Sequence, residues 1–276
     1  MTVTDHKGWQ PEPLELMYAE DLHRPFGMRI DERLLNGGAG VSHVDLAERL
    51  LADQAVLSAA RNADLVVVAS GLPDLHPYTP VSPFLQDRLG GSGRRFAIGE
   101  QGSAAPFTAV RIASAGHCSG RVRTAAVLIV EQSTHPARGE RLDAATASDS
   151  AALLVLGEGD GLRLGEVAEV RGADPAAVGD RLARMIDGSE QPLIVVGPHA
   201  DPSLLLPAGA AVHRVERATY ATGVWLALAE QHADWGAVYD RIVLCETDAR
   251  APERSHLLAL GSDPSSSASG RIEVSA

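Results

Sequence analysis

Four short runs of apolar residues recur along the chain: 65–69 (LVVVA), 124–131 (TAAVLIVE), 193–196 (LIVV) and 241–246 (RIVLCE). They are continuous rather than alternating and rich in β-branched residues, the signature of strands buried on both faces. Such a strand needs a layer on each side, so the pattern demands a layered α/β architecture. Segments with helical spacing lie between the runs. Ser42 can cap a helix with Asp45 in its first turn. That helix carries Val44, Leu46, Ala47, Leu50, Leu51 and Ala55 and is expected to continue to Ala60. Residues 81–89 read as a short helix ended by a glycine-rich loop, 174–186 as an amphipathic helix and 219–232 as another. Residues 147–156, 210–215 and 256–260 read as strands. Residues 162–170 read as a more exposed strand, with Leu162, Leu164, Val167 and Val170 set against Arg163, Glu166 and Glu169.

Helix, strand, helix, strand thus occurs twice, over about 42–160 and 161–261, without sequence identity between the halves. The whole chain, 1–276, reads as a single domain. Its last stretch, 262–276, is low-complexity and is expected to be a flexible tail. Residues 1–13 look frayed, 14–34 show no clean period, 36–40 read as a loop, and residues 1–41 are given no role.

The formal net charge is −12, which argues against non-specific binding to nucleic acid or to anionic membranes, since both reward basic surfaces. No apolar run approaches the roughly 20 residues of a membrane span. The opening MTVTDHKGWQPEP lacks the apolar core of a signal peptide, so a cytoplasmic location is expected. Cys118 and Cys245 have no metal-type spacing. His76, His117, His135, His213, His232 and His256 are scattered, so no metal site is expected.

One segment stands out chemically. Phe96-Ala97-Ile98 is an apolar run, Gly99–Gly102 a turn, and 104–113 a helix with small and apolar residues on most sides. A strand passing through a tight turn into a buried helix is a common way to present a nucleophile, because the helix N-terminus favours negative charge. The residue at that junction is Ser103, or Ala104.

Several segments, in order, resemble the thiolase superfamily and within it the ketoacyl-ACP synthase III-like condensing enzymes. They are DLVVVASGLPDLHPYTPVSPFLQDRLG, EQGSAAPFTAVRIA, TAAVLIVEQSTHPA, SDSAALLVLGEG, VVGPHADPSL, TYATGVWLALAEQ and YDRIVLCETDARAPERSHLLAL, spanning about 42–261. The resemblance implies a thiolase-like five-layer αβαβα fold from two pseudo-repeated halves, usually dimeric, with the strand at Phe96–Ile98 against the dimer axis. In that family a Cys takes an acyl group, and a His and an Asn stabilise the enolate formed when a malonyl unit decarboxylates. The Cys position falls on Ser103, or on Ala104 if the gap is placed differently. The His position falls on His199, and the Asn position within Ala218–Tyr220. The only asparagines are Asn36 and Asn62, so the family's Asn is missing along with its Cys. The chain is also shorter than typical members, which implies a truncated substrate tunnel.

Two functions follow. In the first, the chain is a catalytically degenerate partner subunit in fatty-acid- or polyketide-type (secondary metabolite) biosynthesis. It pairs with a Cys-bearing ketosynthase homologue, or with itself, and completes the partner's acyl pocket. It then resembles the short Cys-less member of heterodimeric condensing enzymes such as that of alkylquinolone biosynthesis. In the second, it is an active acyltransferase or thioesterase with Ser103 as nucleophile and His199 as base, its ring oriented by Asp201. Against these stand plainer roles, Ser103 as a helix cap and His199 as a loop histidine bonded to backbone. No cofactor is expected, although acyl-CoA or the phosphopantetheine of an acyl carrier protein is a possible substrate. Arg94, Arg95, Arg121 and Arg123 could meet such a phosphate or an acidic carrier protein, or be solvated surface charge.

Overall fold

The computed structural model describes residues 12–24, 30, 40–74, 76, 79–90, 93–134, 147–159, 161–172, 174–216, 218–261 and 271–275. Residues 1–11, Asn36, His135 and residues 262–270, all considered above, lie outside them. Among the described residues no helix is long and apolar enough to cross a membrane.

The chain opens with α1 (Pro13–His23), in the region without a clean period. Leu14, Met17 and Tyr18 are exposed, so no buried stripe marks this helix in the sequence. Its start is set locally, by Pro13 in the first turn and by the Glu12 N–H donating to the Glu15 carboxylate at 2.9 Å. The helix expected from Ser42 to Ala60 is two helices, α2 (His43–Leu50) and α3 (Gln54–Arg61). Asp53 breaks it. Its carboxylate accepts the N–H groups of Ala55 and Val56 at 2.7 and 3.2 Å and so begins a new helix.

Then follow β1 (Leu65–Ser70), α4 (Val81–Leu89), β2 (Arg94–Ile98), α5 (Ala104–Cys118), β3 (Ala125–Glu131), β4 (Ser150–Gly157) and β5 (Leu162–Arg171). The second half contributes α6 (Pro175–Met185), β6 (Pro192–Val196), β7 (Ala211–Arg214), α7 (Gly223–Val238), β8 (Arg241–Thr247), β9 (Arg254–Gly261) and β10 (Arg271–Ser275). The strands are joined in the order β2-β1-β3-β4-β10-β5-β9-β8-β6-β7. In the first half β2, β1 and β3 are parallel and β4 is antiparallel to β3; in the second, β7, β6 and β8 are parallel and β9 is antiparallel to β8. The last strands cross over, so that β5 pairs with β9 and β10 with β4. The expected flexible tail is therefore corrected at residues 271–275, where Arg-Ile-Glu-Val-Ser alternates with the strand period.

Helices α2, α3 and α4 cover the outer face of the first half-sheet through Leu46, Leu57 and Leu85 against Val66, Val68 and Leu128. Helix α6 covers the outer face of the second through Val178, Leu182 and Met185 against Ile194, Val243 and Leu257. Between the inner faces lie α5 and α7, joined where Phe107 meets Trp225 edge-on at 4.9 Å. The result is the five-layer αβαβα arrangement. Helix α7 is buried on most sides over Val224–Ala229, as a helix between two sheets must be. It starts at Gly223 rather than Thr219, because the N–H groups of residues 220–222 are bound elsewhere, as described below.

The alternation expected in β5 does not hold throughout. A bulge between Leu164 and Val167 shifts the register, so that Leu164 and Val167 both face the central layer while Ala168 and Val170 face α6. An extra residue in one strand flips every later side chain. Here it turns Glu169 and Arg171 toward the side where α5 lies.

Candidate functional site

The turn from β2 into α5 is built on two left-handed residues, Glu100 at φ 60° and Gly102 at φ 58°. A Cβ at Gly102 would overlap the carboxylate of Asp248, so only glycine fits there. Glu100 lacks that freedom, and its conformation costs roughly 1–2 kcal/mol.

Ser103, next in the turn, is 0% exposed. Its N–H donates to Asp248 Oδ2 at 3.0 Å, while its Oγ makes no hydrogen bond among the described residues. The hydroxyl therefore neither caps α5 nor meets a base. Asp248 Oδ1 accepts from the Tyr220 hydroxyl at 2.9 Å and from the Arg250 N–H at 2.8 Å. Burial, reinforced by the Asp248 charge, pushes the Tyr220 phenol far above its ordinary value, so it remains a donor. Tyr220 comes from the stretch where the resemblance would place an asparagine.

The His199 Nε2–H donates to the Thr219 carbonyl oxygen at 2.8 Å, and its ring stands edge-on to Tyr220, 6.4 Å between centroids. Ser103 is thus linked to Tyr220 through Asp248 and His199 through a ring contact, with no hydrogen bond between Ser103 and His199 among the described residues. Asp201 does not orient the imidazole. Its carboxylate accepts the N–H and hydroxyl of Ser203 at 2.7 and 2.6 Å.

Two more carboxylates reach the central layer from strand ends. Glu131, last in β3, accepts from the N–H groups of Tyr220, Ala221, Thr222 and Ser148 at 2.8, 2.6, 3.1 and 3.0 Å, and from the Thr222 hydroxyl at 3.2 Å. It thereby fixes the chain entering α7. Glu246, near the end of β8, is 0% exposed, and among the described residues neither of its oxygens accepts a hydrogen bond of normal geometry, the neighbouring Thr247 N–H being its one backbone contact. Gly197 makes room for it, since a Cβ there would overlap the carboxylate. Burial raises both acids. Glu246 goes well above the usual carboxylate range, with the charges of Glu131 and Asp248 adding to the effect. Sequence reasoning missed these residues. The available signal was an acid closing an otherwise apolar strand, as in Ile129-Val130-Glu131 and Leu244-Cys245-Glu246.

A cavity of about 280 Å³ opens beside the same turn. Ala104, Phe107 and Arg111 of α5 line one side, and Glu169, Arg171, Arg254 and His256 of β5 and β9 line the other. The residue at the junction that lines it is Ala104; neither Ser103 nor His199 does. Cys118 lies exposed at the far end of α5. Cys245 faces α6, and burial pushes its thiol up to about 12. Arg94, Arg95 and Arg123 sit where β2 and β3 begin, at the opposite end of the half-sheet from the turn. There Arg95 donates to Gln86 and Gly93, and Arg123 pairs with Asp64.

This arrangement, with two half-sheets around a pair of central helices and a tight turn at the start of the first, is the fold seen in solved structures of ketoacyl-ACP synthase III-like condensing enzymes. Three solved structures illustrate the match. One is 3-oxoacyl-(acyl carrier protein) synthase III from Pseudomonas aeruginosa PAO1, at 19% identity and TM-score 0.53, covering 80% of this chain and 83% of that one. The acyltransferase ChlB3 matches at 15% identity and TM-score 0.58, over 91% and 94%. A variant of OleA from Xanthomonas campestris matches at 16% identity and TM-score 0.59, over 91% and 95%. At these identities the likeness is one of fold. No family model and no curated protein matches the chain.

Proposed function

We propose that the chain is a non-condensing subunit of a ketoacyl-ACP synthase III-like assembly in fatty-acid- or polyketide-type biosynthesis, working in the cytoplasm beside a Cys-bearing ketosynthase of the same fold. One observation carries this reading. The junction residue that lines the cavity is Ala104, whose methyl group can accept no acyl chain, while the adjacent Ser103 hydroxyl is wholly buried. Acyl transfer needs a nucleophile with a base in reach and donors for the oxyanion. The Ser103 Oγ has no base, and the His199 Nε2–H is held by a carbonyl. The N-terminus of α5, where an oxyanion would settle, already binds the Asp248 carboxylate through the Ser103 N–H.

Such a subunit would act through its surface. Strand β2 closes the sheet on one side, and its free edge can add a strand from a partner. The acyl-CoA or acyl carrier protein substrate would then load the partner's cysteine. The test is co-expression with a Cys-bearing ketosynthase of the same fold from the same genome, followed by intact mass measurement of both subunits after incubation with acyl-CoA. Co-purification with an acyl adduct on the partner alone is expected. A stable homodimer that hydrolyses acyl thioesters and loses that activity in Ser103→Ala would overturn the reading in favour of the acyltransferase or thioesterase.

A further inference from the structure

The cavity beside α5 has a charge pattern that folding alone does not require. Arg171 and Arg254 are directly opposite each other across β5 and β9. Like charges in that relation repel. A single acid lies between them, with Glu169 Oε1 3.0 Å from Arg171 Nε and 3.2 Å from Arg254 Nε. One carboxylate thus answers two guanidinium groups. From the facing helix, Arg111 adds a third cation to the lining and forms no ion pair or hydrogen bond among the described residues. The lining holds three arginines against two acids, Glu100 and Glu169, on a chain whose net charge is −12.

The β5 bulge produces this cluster. Without the register shift after Leu164, Glu169 and Arg171 would point to the α6 side. Beside the charges and the polar Gln101 and Thr108 the cavity has a small apolar patch. Ala104 and Phe107 line it from α5 and Val167 from β5. His256 lies next to that patch, 4% exposed and tilted against Phe107 at 5.6 Å, with its buried Nε2 in no hydrogen bond among the described residues. A surplus of guanidinium groups beside a small apolar patch fits an anion with a short hydrocarbon body. At about 280 Å³ the space is at the low end of ligand pockets, which run from roughly 300 to 1,000 Å³.

We propose that the cavity between α5 and the β5–β9 ribbon binds a small organic carboxylate, its anionic group held by Arg111 and Arg254 and its short apolar body against Ala104, Phe107 and Val167. Guanidinium forks match the planar carboxylate through paired hydrogen bonds. This assignment does not rest on pairing with a ketosynthase, and the two are tested separately.

Equilibrium dialysis of the purified full-length chain against radiolabelled hexanoate tests it, with hexanamide and inorganic phosphate as competitors at matched ionic strength. Saturable binding is expected, with hexanamide competing at least about 10-fold more weakly than unlabelled hexanoate because it lacks the charge. Arg111→Gln is expected to weaken hexanoate by roughly 10-fold. Its unfolding midpoint should match the parent, since the Arg111 side chain holds nothing in place. Arg254→Gln should weaken binding as well. The proposal is overturned by absence of saturable hexanoate binding, by equal competition from hexanamide, or by undiminished binding in both variants. Binding of phosphate in preference to hexanoate would likewise overturn the carboxylate assignment.

Discussion

At the end of β3, Glu131 accepts five hydrogen bonds; at the corresponding inward-facing place on β8, Glu246 accepts none of normal geometry among the described residues. Both acids close an apolar strand, both are buried, and both stand near the start of a central helix. In the first half the acid anchors the chain entering α7. In the second, the anchor for α5 is Asp248, two residues beyond Glu246, through the Ser103 N–H. Each half-sheet therefore holds the helix that belongs to the other half. Glu246 is left over. An unpaired ionised carboxylate in such a place would cost several kcal/mol, so the group keeps its proton instead. The comparison shows that a raised carboxylate has two meanings. For Glu131 burial outweighs a full set of donors, whereas for Glu246 the Thr247 backbone N–H alone opposes burial and the charges of Glu131 and Asp248 reinforce it.

The strongest way to break this comparison is Glu131→Ala. It strands three buried backbone N–H groups and is expected to destabilise the fold by about 3–5 kcal/mol, read from urea unfolding. A loss below about 1 kcal/mol would mean that Glu131 is no anchor. Asp248→Ala is expected to cost about 2–3 kcal/mol, since it frees the Ser103 N–H and the Tyr220 hydroxyl together. If it proved harmless, the symmetry between the two anchors would fail.

Glu246→Gln sharpens the contrast through pH. A carboxylate whose folded pKa lies above its unfolded value binds more protons when folded. Its stabilising contribution is therefore present below the unfolded pKa and is lost as pH rises toward the folded one. Replacing Glu246 should flatten the fall in stability above the usual carboxylate range and leave the variant relatively more stable than the parent in mildly alkaline buffer. Chemical unfolding at a series of pH values measures this, and an unchanged slope would show that Glu246 does not hold the proton. The smallest effect is expected for Ser103→Ala, within about 0.5 kcal/mol of the parent or slightly stabilising, because the hydroxyl removed has no partner. A large loss would reveal a bond to Ser103 Oγ that matters.

Much of the architecture was legible from residue order. The continuous apolar runs became β1, β3, β6 and β8, and the turn and helix at Gly99–Ala113 stand where they were read. What failed did so for local reasons. Helix α1 buries no stripe, so periodicity cannot show it. Asp53 offered the backbone a cap that outcompeted helix continuation. The strand at 271–275 was hidden behind a low-complexity stretch.

The site was legible only in part. Ser103, Ala104 and His199 could be singled out as candidates, and the absence of a thiol at the junction follows from the sequence. Which of two adjacent residues faces the cavity does not, because the backbone through two left-handed turn residues sets side-chain direction. The side to which Glu169 and Arg171 point is set by a bulge that no alternation records. Apart from Ser148, the partners that make Glu131 an anchor lie 89 to 91 residues away, and Asp248 lies 145 residues from Ser103. Periodicity and composition are local properties and sufficed for layers and strand order along the chain. The junction's chemistry depends on contacts between distant segments, and these exist only once two half-sheets have closed around the central helices.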